Sequence, residues 1–269
     1  SPIQAIKGPF CASNCPIVYP SENPSENPSE NPSKNPSESP SENPSESPTR
    51  YCFPSKPSLQ DAVDAYIDQG CSTNSTCAIR QMYGDIGTWC TTGITDMSAL
   101  FQGKQSFNEN ISGWDVSKVT NMQNMFQDAS NFSQPLNSWD VSKVTNMQYM
   151  FNGASSFNKP LNGWNVSLVT DMFGMFMYAS NFNQPLDGWN VGSVIRMSYM
   201  FNWASSFNMP LNQWNVGLVT GMNFMFNHAS SFNQTLNGWY VNSVTDMSYM
   251  FSGASSFDQS LNEWNVGSV

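Results

Sequence analysis

Apolar residues recur along most of the chain at one fixed step. Tryptophans stand at Trp89, Trp114, Trp139, Trp164, Trp189, Trp214, Trp239 and Trp264, each 25 residues after the last. Met97, Met122, Met147, Met172, Met197, Met222 and Met247 keep the same step, as do Phe101, Phe126, Phe151, Phe176, Phe201, Phe226 and Phe251. Such a period marks stacked units, none of which can bury its apolar face alone. Two local patterns alternate within the unit 136–157, LNSWDVSKVTNMQYMFNGASSF. Trp139 and Val141 are two apart and point the same way from a short strand. Met147, Met150, Phe151 and Ala154 fall at i, i+3, i+4 and i+7, one face of a short helix, with Thr145 as its N-cap. Phe157 and Pro160 mark the loop back to the next strand at Leu161. The Trp, Met and Phe columns read as core.

Upstream the pattern changes. Residues 1–20 are a short apolar leader carrying Cys11 and Cys15. Residues 21–50 repeat SENP and its variants, with a proline at every fourth position. Proline fixes φ and pushes its predecessor to extended conformations, so this tract reads as a polyproline-like stalk. Residues 51–82 contain SLQDAVDAYIDQG, an amphipathic helix over 58–70 with Leu59, Val63, Tyr66 and Ile67 on one stripe. Ser58 with Asp61 approximates a capping box, and Gly70 suits the stop. This segment is placed to cap the first unit of the array at 83–269.

Charge narrows the partners. Twenty acids against ten bases leave a net charge of −10, which argues against nucleic acid and anionic lipid surfaces. No apolar run reaches the roughly 18 residues of a membrane span. The chain starts at Ser1 without a Met or a charged-then-apolar leader, which fits a processed product. Cys11, Cys15, Cys52, Cys71, Cys77 and Cys90 all precede the regular repeats, and their even number reads as disulfides in an oxidising compartment. Metal binding is the rival reading, but CxxC spacing is lacking and His228 stands far off in sequence.

The unit W-x-V-S-x-V-T-x-M-x-x-M-F-x-x-A-x-x-F-N-x-P-L-N resembles the repeat of BspA-like leucine-rich-repeat surface proteins, with related units in mycoplasma lipoproteins and secreted microalgal proteins. Leu136, Trp139 and Val141 match the core spacing L-x-x-L-x-L of leucine-rich repeats. The expected fold is therefore an α/β solenoid: a leucine-rich-repeat-like right-handed coil with one short parallel strand and one short helix per 25-residue repeat. The resemblance covers 83–269 and implies an extracellular or cell-surface location and a role in adhesion or surface structure. It brings no catalytic residues. The stalk is similar to low-complexity regions of algal surface proteins. Cys90 departs from the Asp or Asn of later units and is expected to tie the first rung to the cap.

Candidate chemistry is sparse. A nucleophilic triad needs a base, and His228 stands alone in a variable position. No catalytic, cofactor or metal site is expected, although a Ca²⁺ site between Asp115 and Asp140 is a minor alternative. Asp115, Asp140, Asn165, Asn190, Asn215, Tyr240 and Asn265 form a polar column on the expected strand face, the candidate binding face. Its neighbours are small and polar, which suits sugar or self-association better than a tight protein ligand. Asn74, Asn110, Asn131, Asn165 and Asn233 are glycosylation candidates. Thr120, Thr145 and Thr170 suggest an ice-binding ladder, which Ile195 breaks.

The chain stops at Val269 in mid-unit, without a capping repeat. The expectation is a non-enzymatic extracellular structural glycoprotein that polymerises with itself, head to tail, into fibrils or a surface layer. The alternative is an adhesin whose strand face binds glycan or a surface protein.

Overall fold

The computed structural model describes residues 51–269. The leader with Cys11 and Cys15 and the SENP tract lie outside the described residues. The first element, α1 (Lys56–Asp68), begins at Ser55, whose hydroxyl accepts the Ser58 N–H while the Ser58 side chain reaches back, so the capping box is Ser55/Ser58 and the helix starts earlier than expected. Gly70, at φ +62°, ends it: its N–H bonds to Ile67 and that of Cys71 to Tyr66, a Schellman pair. A short α2 (Ala78–Tyr83) and a 3₁₀ turn (Ile86–Thr88) follow.

The rest departs from the expected α/β class. No strand longer than an isolated bridge forms among the described residues, and no helix forms within the repeats. The expected strand at 139–141 lies between two tight turns, Trp139 N–H to Leu136 and Val144 N–H to Val141. The expected helix at 147–154 is instead the ladder that joins one rung to the next. There Met147, Tyr149, Phe151 and Gly153 donate to the carbonyls of Asp171, Phe173, Met175 and Met177 in the following rung, at 2.8–3.0 Å. Met150, Asn152 and Ala154 donate within their own rung to Met147, Tyr149 and Phe151. A helix is ruled out by the backbone: Tyr149 and Gly153 have φ of 55° and 71°, left-handed values that a right-handed helix cannot hold. The inward side chains still fall three, one and three apart, which is why the segment imitates a helical face. Single parallel bridges mark the stacking, from Asp96 to Asn121, Asn146, Asp171, Arg196, Gly221 and Asp246 in turn. Thr145 is no helix cap. Its N–H and hydroxyl both donate to the Thr120 carbonyl of the preceding rung.

Inside this ladder run three files of rings. Trp164, Trp189, Trp214 and Trp239 stack at 6.3–6.5 Å within 4° of parallel. Phe126, Phe151, Phe176 and Phe201 stack at 5.5–5.7 Å, and Phe132, Phe157, Phe182 and Phe207 at 6.0 Å. Offset stacks of this kind add about 0.5–1.5 kcal/mol per pair beyond burial. A buried indole N–H must find an acceptor or cost about 1–3 kcal/mol. Trp164, Trp189 and Trp214 each reach one rung back, to the carbonyls of Leu136, Leu161 and Leu186 at 2.8–3.0 Å.

The cap supplies what the first rung lacks. Leu59, Val63 and Tyr66 of α1 are buried in the same core. The Gln60 amide donates to the Leu100 carbonyl at 3.1 Å, standing in for a preceding rung. Lys104 pairs with Asp64 at 2.8 Å, and Lys56 with Asp96 at 3.5 Å. Cys52 is bonded to Cys90 and Cys71 to Cys77, the first joining the cap to the opening rung.

Phe176 touches Phe151, Phe182, Phe201 and Trp189 and is fully buried. Phe176→Ala is expected to lower stability by about 3–5 kcal/mol, read as a shift of the urea midpoint.

Candidate binding face

Two outward surfaces result, and their backbones treat polar side chains differently. The candidate column follows each Trp in a turn rather than a strand. Asp115, Asp140, Asn165, Asn190, Asn215 and Asn265 each accept, through Oδ1, the N–H two residues on, at 2.9–3.3 Å. These side chains close their own turns. Tyr240 has no such oxygen and stands 75% exposed. Hydrogen bonds from the side chain and backbone of Ser117 hold the Asp115 carboxyl below the usual carboxylate range, and Ser142 does the same for Asp140. Among the described residues no group of three or more His, Cys, Asp or Glu gathers in metal-binding geometry.

The ladder presents the second surface. In each rung two left-handed positions, four residues apart, turn their side chains outward: Tyr149 and Gly153, Gly174 and Tyr178, Tyr199 and Trp203, Phe224 and His228, Tyr249 and Gly253. Rings fill most of them. Tyr149, Phe173, Tyr199, Phe224 and Tyr249 form a continuous file with centroids 4.7–5.2 Å apart. Tyr178, Trp203 and His228 form a second, shorter file, with the imidazole 4.0 Å from the Trp203 ring. Tyr178, Trp203 and Tyr249 are 47%, 44% and 64% exposed. Arg196 pairs with Asp171 at 2.7 Å and lies over the Phe173 ring.

Sequence reasoning missed this surface. Its residues sat in positions assigned to a helix, and the recurrence of Asn124, Gly174, Gly103, Asp128 and Gly153 in two columns four apart was the available signal for left-handed backbone. His228, read as a lone surface residue, is a ring in the second file. Of the glycosylation candidates, Asn74, Asn110, Asn131 and Asn165 are exposed. Asn233 is half-buried, its Oδ1 accepting from the Asp258 N–H and the Gln259 amide of the next rung.

A family model described as a Mycoplasma protein of unknown function, DUF285, matches residues 72–189 and again 178–269. The chain belongs to that family, in agreement with the resemblance to BspA-like surface repeats. Family membership and the two disulfides are compatible with an extracellular or cell-surface protein. No helix among the described residues is long and apolar enough to cross a membrane. Comparison with curated proteins and with solved structures gave no match.

Two outcomes test the backbone reading. A folded-state carboxyl held below its unfolded value contributes stability above the ordinary carboxylate range, lost as pH falls through the depressed value. Asp115→Asn with Asp140→Asn keeps the turn, as Asn165 shows, and is expected to flatten the acid limb of a urea-stability profile between neutral and acid pH. Gly174 has φ +59°, and a methyl group there meets the Tyr149 ring. Gly174→Ala is expected to cost about 1–2 kcal/mol in denaturant unfolding and to perturb the Tyr149 ring signals in NMR.

Proposed function

We propose that the chain is a non-enzymatic adhesive component of the cell surface, working through the outward rings of its ladder. One observation carries this reading: eight rings occupy outward ladder columns that the fold does not require to be aromatic. At the left-handed positions the same columns hold Ala99, Asn124, Gly174, Gly103, Gly153 and Gly253 in other rungs. Large L-residues with positive φ cost about 1–2 kcal/mol each. Ring stacking returns about 0.5–1.5 kcal/mol per pair and partial burial adds to it, so the terms are of similar size and the fold accepts Tyr199, Trp203 and Phe224 there without requiring them. Exposed aromatic surface of this kind is what binding faces carry.

Of the two expectations, the adhesin thus draws support from a specific surface, though not the column first assigned to it.

The protein's own repeats supply fold-compatible variants: Tyr199→Ala after Ala99, Trp203→Gly after Gly253, and Phe224→Asn after Asn124. In force measurements with protein-coated beads against the surface of the source cells, the triple variant is expected to lose most of its adhesion. Leu168→Ser, on another surface where Ser193 already stands, is expected to keep it. Equal adhesion of the triple variant and the wild type would sink the proposal.

A further inference from the structure

We infer that the ladder face binds an extended, uncharged polysaccharide lying along the stack, one pyranose residue per rung. This rests on the adhesive reading above and names its ligand.

The first support is dimensional. Along the longer file each ring follows the last by 4.7–5.2 Å, from Tyr149 through Phe173, Tyr199 and Phe224 to Tyr249. That step is about the advance per residue of an extended pyranose chain, so one sugar stays in register with one rung across the file. A peptide strand laid along the file advances about 3.3 Å per residue and alternates its side chains every two residues, so it does not keep this step. The file is also not a closed stack. Tyr149 and Phe173 cross at 76° and Phe173 and Tyr199 at 39°, so ring surface as well as ring edge remains available to the C–H faces of a sugar.

The second support is chemical. The chain carries a net charge of −10, yet across the five rungs with rings the columns that begin at Gln148, Tyr149, Asn152 and Gly153 contain no Asp, Glu, Lys or Arg; the charges Asp171, Arg196 and Asp246 stand in the column beside them. Between the rings stand partly exposed amides, among them Gln148, Asn152 and Asn223. Sugar hydroxyls need such neutral donors and acceptors. An acidic polysaccharide would find only Arg196, already paired with Asp171. Asn202 adds a third observation. It is 4% exposed and adjoins Trp203 in sequence, and its Oδ1 has no hydrogen-bond partner, as is also true of Asn152 two rungs earlier and of Asn124 in a rung without rings. Buried acceptors without donors are a demand that a hydroxyl-rich ligand can meet.

The test is isothermal titration of the full chain with cellohexaose, laminarihexaose, chitohexaose and mannohexaose, each beside its disaccharide. At least one hexasaccharide is expected to bind, with affinity rising at least about ten-fold from disaccharide to hexasaccharide as successive rungs engage. The Tyr199→Ala/Trp203→Gly/Phe224→Asn variant is expected to lose at least about ten-fold, the scale of a truncated hot spot. Near-UV circular dichroism of the buried Trp file confirms that the variant remains folded. Lack of binding by all four hexasaccharides overturns the inference, as does equal binding by wild type and variant or binding that ignores chain length. If the bead assay depends on the face while no neutral glycan binds, the ligand is a protein or an acidic polymer: the adhesive reading stands and this inference falls.

Discussion

The ladder between rungs is the constraint from which the rest follows. At 147–153, alternate N–H groups find their acceptors only in the next rung, so each rung must present the same backbone shape at the same place. A slip of one residue would carry Met147, Met150 and Phe151 outward and leave their donors facing carbonyls that are already used. Register is pinned from inside by the three ring files and by indoles such as Trp164, whose N–H reaches the preceding rung at Leu136. The 25-residue period of the sequence is the image of that register. For the same reason the first rung needs a surrogate neighbour, which α1 provides with the apolar stripe of Leu59, Val63 and Tyr66, the Gln60 amide and two ion pairs.

Much of this was legible in the residues. The columns of Trp, Met and Phe were read as core and are buried, and the helix at the array's start lies on the first rung. What failed was the local shape. Met147, Met150, Phe151 and Ala154 are spaced as one face of a helix, but a ladder that alternates bonds between and within rungs yields the same spacing. Eight residues are too few for periodicity to separate the two. The decisive mark was glycine and asparagine at left-handed positions. Tyr149, Tyr199 and Trp203 in the same columns concealed it, because bulky residues there are rare. A strand around Trp139 would make Asp115 and Asn165 the outward face, but their oxygens are spent on their own turns. Tyr199 and Trp203 would then be helix positions, whereas the left-handed backbone turns their rings outward.

Outward columns vary more than inward columns, and the variation has a direction. In the rungs nearest the cap, Asp115 and Asp140 close the turns after Trp, with Lys118 and Lys143 close by. Farther along, Asn165, Asn190 and Asn215 make the same turns without charge, and the lysine column becomes Leu168, Ser193 and Leu218. The ladder face changes in the same sense, from Asn124 and Asp128 to Tyr199, Trp203 and Phe224. An Asx turn forms equally with Asp or Asn, and a left-handed position accepts Gly more readily than Tyr. Folding is therefore indifferent to the gradient or mildly opposed to it. The composition that the fold does not ask for is concentrated in the five rungs that carry the rings.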